Sequence, residues 1–174
     1  LDGTLPFTEK FDNKPPMIFF LLAGWMALFG DSVQSVRLFG DLCLWGTACM
    51  VFVIARSYAG PLAAGAGAAL CVAIHGVDPG FHTTAGLPAM LALMVALWLI
   101  LTQREAAWAV VLAGILVSIA VLTRSNLAYV ALTSGILLLV LGLWRPAASR
   151  CTWRTPVWYA VGGIIPLALI VLTY

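Results

Sequence analysis

Long apolar runs, separated by very short polar breaks, dominate the chain from residue 38 onward. A helix that crosses a bilayer needs about 20 predominantly apolar residues, with a usual range of about 17 to 25. Six stretches meet this requirement: 38–56, 61–79, 84–102, 106–123, 126–144 and 156–174. Because the breaks are so short, consecutive helices must be antiparallel neighbours. The pattern therefore predicts an all-α, polytopic membrane helix bundle with about six transmembrane helices.

One further apolar run, PPMIFFLLAGWMALFG at residues 15–30, is shorter than the others. As a helix it would extend about 24 Å, which is less than the hydrocarbon core of about 30 Å. It either spans a thinned bilayer or lies along the interface as a juxtamembrane helix. The two alternatives put the preceding loop on opposite sides of the membrane. After this run, Asp31 and Gln34 predict a capping pair that opens the next helix.

Small residues recur at helical spacing within the predicted spans. In AGPLAAGAGAAL, Gly60, Ala64 and Ala68 are four positions apart, a spacing that lets membrane helices approach closely. The four cysteines follow no metal or disulfide spacing, and most lie inside apolar runs. Both features indicate packing rather than chemistry.

The composition excludes several classes of protein. Hydrophobic residues make up 63% of the chain and charged residues 9%, whereas soluble domains are about half apolar and a quarter charged. So much apolar surface requires lipid as the solvent. A net charge of +2 without a basic run gives no sign of a nucleic-acid partner. The sequence also lacks the Gly-rich loops and catalytic motifs of ATP- or nucleotide-sugar-driven enzymes.

Arginines in the short loops predict the orientation, because cytoplasmic loops are enriched in Lys and Arg. Arg124 lies at one end of the predicted bundle, and Arg37 lies just before the first span at that same end. The other end carries five arginines, Arg56, Arg104, Arg145, Arg150 and Arg154, and the tryptophans Trp98, Trp108, Trp144, Trp153 and Trp158. The arginine-rich end is therefore expected to be cytoplasmic, and residues 75–84 and 123–126 are expected to face outward.

The opening residues form an ordered series of motifs. They are Gly3, Leu5, Pro6, Phe7, Glu9, Phe11, Asp12, Lys14, Pro15, Pro16, Phe29, Gly30, Arg37 and Leu38. This series resembles the first extracytoplasmic loop of bacterial GT-C glycosyltransferases, the membrane enzymes related to protein O-mannosyltransferases and the aminoarabinose transferase of lipid A. LTRSNLAYVAL, at residues 122–132, is similar to the start of a family helix that carries Arg and Asn.

The resemblance implies a domain organisation. Residues 1–174 would be part of one GT-C transmembrane domain, truncated at both ends, with residues 1–14 as the first loop, 15–30 as the juxtamembrane helix and 38–174 as the transmembrane helices. The family's catalytic acid follows its first transmembrane helix, so it would lie upstream of Leu1 and the fragment alone would be inactive. Where the family often carries a second acid, this chain has Leu87, and Asp78 lies several residues too early.

The resemblance also implies a function and a location. The enzyme would lie in the bacterial inner membrane with its active site facing the periplasm. It would move a sugar from a polyprenyl-phosphate-linked donor to an extracytoplasmic lipid, glycan or protein. The rival interpretations are a transporter or flippase-like protein and a noncatalytic paralogue. A transporter would place charged groups at the bilayer midplane and break paired helices, whereas these spans are nearly free of charge.

A lipid-linked phosphate is an anion at the membrane surface, so its site needs cations at the level of the headgroups. Lys14 is the first candidate, and its alternative role is a snorkelling helix end. Arg124 begins a helix, where free N–H groups attract anions, and otherwise serves as an interfacial anchor. Arg37 is the third candidate, and it could equally pair with Asp41 one turn further along.

Three further residues are weaker candidates. Glu9 and Asp12 could orient Lys14, bind a divalent metal or assist an acceptor hydroxyl, although exposed loop acids are usually only solvated. His82 could be a ligand or a proton carrier, or simply a helix cap. The sequence thus leaves the use of a divalent metal open and requires no other cofactor.

Overall fold

The computed structural model describes residues 15–76, 85–144 and 152–173, and the chain there is helical and contains no strand. Seven α-helices occur in this order: α1 Met17–Phe29, α2 Val33–Arg56, α3 Pro61–Gly76, α4 Gly86–Gln103, α5 Ala107–Thr123, α6 Ala128–Trp144 and α7 Arg154–Thr173. A short 3₁₀ turn, Ser125–Leu127, precedes α6. The prediction of an all-α helix bundle is confirmed.

Four helical segments of the described chain are long and apolar enough to cross a membrane: Val33–Arg56, Gly86–Gln103, Ser125–Trp144 and Arg154–Leu172. Three apolar helices are shorter, namely Met17–Phe29, Pro61–His75 and Ala107–Thr123. Two of the six predicted spans are therefore short: α3 has 16 residues, just below the usual range of about 17 to 25, and α5 has 17 residues, at its lower limit. Helix α1 is shorter still, about 20 Å for 13 residues, and its placement along the membrane surface stays a prediction.

Helix α5 is the centre of the described bundle despite its short length. It packs against α4 on one side and α7 on the other, and it also touches α1 and α6. Ala109, Ala113 and Ala120 along it are fully buried. Small side chains on α5 let both neighbouring helices approach closely, and such packing is a main source of helix association in lipid.

Glycines bring the backbones of α5 and α7 into contact. A Cβ atom on Gly114 would overlap the carbonyl oxygen of Tyr159, and one on Gly162 would overlap the carbonyl oxygen of Val111. The stripe predicted on α3 is only partly buried: Ala64 is fully buried, but Gly60 is exposed. The closest helix contact is therefore between α5 and α7, and the sequence pattern did not indicate it.

The junction between α1 and α2 differs from the prediction in two respects. Gly30, at φ 87°, ends α1 and donates its N–H to the carbonyl oxygen of Met26. The cap of α2 is Ser32, whose Oγ accepts the N–H of Ser35 at 3.1 Å. The predicted capping pair of Asp31 and Gln34 is wrong, because Ser32 already supplies the acceptor that the first turn needs. Helix α2 begins at Val33, five residues before the predicted apolar span that starts at residue 38, and Arg37 lies inside the helix.

Candidate functional site

Side-chain packing brings the start of α2, the start of α4 and the end of α5 to one end of the bundle. Cys43 and Leu44 of α2 form a buried cluster with Leu87, in the first turn of α4. Further along α4, Ala89 packs in a second cluster with Ala120 of α5. Because Arg37 precedes the first cluster and Arg124 follows the second, both arginines belong to this end. We call it the Arg37–Arg124 end.

Both arginines at this end are exposed. Arg37 lies in the second turn of α2, and the half-buried Asp41 lies one turn further along. Arg124 is the extended residue between α5 and the 3₁₀ turn, and its N–H donates to the carbonyl oxygen of Ala120 at 2.9 Å. Exposed guanidinium groups at the end of an apolar bundle are suited to anionic groups at a membrane surface.

The opposite end of the bundle carries the other described arginines. Arg56 ends α2, Arg104 follows α4 and Arg154 begins α7. The Arg154 guanidinium lies 5.4 Å from the centre of the Trp153 ring, a cation–π contact typical of a membrane interface. The structure thus separates Arg37 and Arg124 from these three arginines, as the sequence predicts.

An apolar groove of about 660 Å³ lies between α2 and α3. Its lining consists of Trp45, Ala48, Cys49, Phe52, Val53, Ala68, Ala69, Val72 and Ala73. Arg37, Asp41, Trp45 and Cys49 are spaced four residues apart, so they follow one face of α2. This face therefore carries a cation at the end of the bundle and an apolar groove further along.

A tryptophan side chain of α1 forms hydrogen bonds with the first turn of α2. The Trp25 Nε1–H donates to the carbonyl oxygen of Ser35 at 2.9 Å and to its Oγ at 3.0 Å. Ser35 is buried, and it precedes Arg37 by two positions. This contact could not be predicted from the sequence, because no local pattern relates Trp25 to a residue ten positions away across a turn.

The chain matches the profile of the dolichyl-phosphate-mannose-protein mannosyltransferase family over residues 13–174. It belongs to this family. No curated protein and no solved structure gives a significant match to the chain.

Membership in the mannosyltransferase family confirms, at the level of the family, the resemblance to protein O-mannosyltransferases and the interpretation as a membrane glycosyltransferase. The match includes the positions of Lys14, Arg37 and Arg124 but begins after Glu9 and Asp12. The three predicted phosphate contacts therefore lie within the family region, and the two candidate acids of the opening loop lie before it.

Several predicted site residues of this mannosyltransferase family member lie outside the described residues. They are Glu9, Asp12, Lys14, Asp78 and His82, together with Arg145 and Arg150 of the opposite end. Their roles and positions remain predictions. In the part of the chain that is described, no three or more His, Cys, Asp and Glu side chains gather as a metal site.

Leu87 lies where the resemblance to GT-C enzymes implies an acid. Its side chain is only 1% exposed and packs against Cys43 and Leu44. A carboxylate in this place would lose its hydration without gaining a partner from these apolar neighbours. In this chain, the side chain at position 87 therefore contributes to helix packing.

Proposed function

We propose that this protein is a GT-C-type glycosyltransferase that moves a sugar from a polyprenyl-phosphate-linked donor to an extracytoplasmic lipid, glycan or protein. The family match over residues 13–174 is the observation that carries the proposal. The presence of Arg37 and Arg124 at one end of the helix bundle supports it. The active site faces the periplasm of a bacterial inner membrane.

Arg37 and Arg124 hold the donor phosphate in this proposal, together with Lys14. A guanidinium group offers two parallel N–H donors to the oxygens of a phosphate, which fixes both its position and its orientation. Both arginines are exposed, so they are accessible to an anion that diffuses along the membrane surface.

The groove between α2 and α3 supports a donor with a long hydrocarbon chain. Trp45 is the residue of the groove on α2 that is nearest in sequence to Arg37. It lies eight residues after Arg37, or about 12 Å along the helix. A phosphate at Arg37 would therefore sit near the headgroups while its isoprenoid chain runs along the same face of α2. The apolar lining of the groove suits such a chain.

The proposed reaction is a displacement at the anomeric carbon of the sugar. A carboxylate acting as general base takes the proton from the acceptor hydroxyl, and the hydroxyl oxygen forms a new bond to the anomeric carbon. The bond between that carbon and the phosphate oxygen breaks, and polyprenyl phosphate leaves. Positive charge from the arginines stabilises the negative charge that grows on the leaving phosphate.

Removing either arginine tests the proposed phosphate site. In the full-length enzyme, Arg37→Ala or Arg124→Ala should raise the KM for the donor about tenfold or more, because a hydrogen bond to a charged group contributes about 1.5–3 kcal/mol. Arg56→Ala is the matched control for Arg37→Ala, since both arginines are exposed and lie near opposite ends of α2. The measurement is initial transfer rate against donor concentration. Equal KM values for all three variants would contradict the phosphate site.

The proposed orientation has a separate test. In a full-length protein whose own cysteines are replaced, an impermeant thiol reagent added outside the cell should label Ser125→Cys and not Ser149→Cys. The reason is that arginine-rich loops stay in the cytoplasm. The two variants serve as each other's controls, and permeabilised cells should allow both to react. Labelling of Ser149→Cys in intact cells would overturn the orientation.

A noncatalytic member of the family is the second candidate, and the burial of Leu87 among apolar side chains favours it. Such a protein would bind the lipid-linked donor at the same arginines but leave the sugar–phosphate bond intact. Donor binding without sugar release by the full-length protein would identify this second function.

A further inference from the structure

A side-chain hydrogen bond between Trp25 and Ser35 joins α1 to α2 at the Arg37–Arg124 end. Trp25 donates one N–H to two oxygens of the same residue, at 2.9 Å and 3.0 Å. Both acceptor atoms belong to the first turn of α2. The bond therefore fixes α1 against the segment that carries Arg37.

Each partner in this contact is itself held in place. The Trp25 ring stacks on Phe29, with ring centres 4.0 Å apart, and lies 5.3 Å from the ring of Phe39 on α2. The acceptor residue, Ser35, is 7% exposed, and its backbone N–H donates a hydrogen bond to the Oγ of the cap residue Ser32. Such a bond between two restrained groups has little freedom to change direction.

We propose that Trp25 is a positioning residue for donor binding: its N–H holds α1 in the arrangement against α2 in which Arg37 meets the donor phosphate. The inference rests on the proposed function, since it concerns the same phosphate site. Trp25 acts through Ser35 and the backbone of α2, and it does not itself touch the donor.

The expected effect is a change in donor affinity. When only a fraction of the molecules holds the competent arrangement, the apparent dissociation constant rises by the inverse of that fraction. Loss of the bond between α1 and α2 reduces that fraction. Saturating donor draws the molecules back into the competent arrangement, so the turnover number is preserved.

Trp25→Phe in the full-length enzyme is the direct test, because it keeps an aromatic ring beside Phe29 and Phe39 but removes the N–H donor. The KM for the donor should rise about tenfold while kcat stays within about twofold. A purely structural role would instead lower the amount of active enzyme and leave KM unchanged. Trp108→Phe is the control, since Trp108 is 62% exposed and lies at the opposite end of the bundle.

Ser35→Ala is a second variant, and its expected effect on the KM for the donor is smaller than that of Trp25→Phe. It removes the Oγ acceptor and leaves the carbonyl acceptor, so the KM for the donor should rise about threefold. Adding Ser35→Ala to Trp25→Phe should cause no further rise, because both changes remove the same contact. Should Trp25→Phe fail to accumulate, Ser35→Ala decides the matter.

The outcomes separate this inference from the proposed function. A wild-type enzyme that transfers the sugar, with variants whose donor KM is unchanged, overturns the role of Trp25 and leaves the proposed function standing. A wild-type enzyme that transfers no sugar overturns the proposed function, and the role of Trp25 with it.

Discussion

Gly162→Ala is expected to destroy the folded helix bundle. The added Cβ would overlap the carbonyl oxygen of Val111 on α5, and a backbone atom cannot move aside by changing a rotamer. Overpacking usually costs about 1–3 kcal/mol, and here α5 and α7 would have to separate along their close contact. We expect the cost to reach the upper end of this range or exceed it, with most of the protein aggregating on extraction into detergent.

Gly65→Ala is the matched control for Gly162→Ala. Gly65 lies within α3, and a Cβ there would meet nothing within 4 Å. Alanine favours the helix by roughly 1 kcal/mol over glycine, so this variant should be as stable as the wild type or slightly more stable. The measurement is the fraction of monodisperse protein after heating, by size-exclusion chromatography. Wild-type stability of Gly162→Ala would show that the α5–α7 packing is wrong.

Lys14→Ala is expected to abolish or greatly weaken sugar transfer by the full-length protein while membrane insertion and folding continue. Lys14 precedes two prolines and α1, where the sequence predicts a charge-assisted bond to the donor phosphate. Loss of such a bond costs roughly 1.5–3 kcal/mol, or about tenfold to more than a hundredfold in binding or rate. The measurement is the initial rate of transfer at several donor concentrations.

Two variants refine the prediction for Lys14. Lys14→Arg should restore part of the activity if the site requires only positive charge, and little if it requires a compact ammonium group. Asp12→Asn should do less harm than Lys14→Ala, because an acid that orients the lysine acts indirectly. Normal turnover and normal donor affinity in Lys14→Ala would mean that this lysine only anchors a helix end in the headgroups.

The number and order of the helices could be predicted because each is encoded locally, as an apolar run between polar breaks. The start of α2 could not, since Asp31, Ser32 and Gln34 are all plausible in a cap and only the chain direction after Gly30 selects Ser32. The predicted cap, Asp31, and the observed cap, Ser32, therefore differ by one position.

The close contacts between helices could not be predicted from the sequence pattern either. Glycines and alanines occur in most of the spans, and their spacing alone does not tell which glycine faces another backbone. Gly114 and Gly162 do so, whereas Gly60 on the predicted stripe is exposed. The contact of Trp25 with Ser35 depends in the same way on how two helices pack after a turn.

The candidate site was predictable in part. The grouping of Arg37 with Arg124 followed from the alternation of antiparallel helices, and the packing of α2, α4 and α5 agrees with it. The burial of Leu87 required the neighbouring helix to be in place. Lys14, Glu9, Asp12 and His82 remain predictions from the sequence.

The fate of the sugar on a labelled donor is the direct test of glycosyltransferase activity. Membranes that contain the full-length protein and its natural acceptors are incubated with a polyprenyl-phosphate-linked sugar that carries a radiolabel, and membranes without the protein are the control. Extraction and chromatography then show whether the label remains on polyprenyl phosphate. The label should leave polyprenyl phosphate and appear on an acceptor only when the protein is present. A label that stays on polyprenyl phosphate, whether or not the lipid changes leaflets, would contradict the proposed activity.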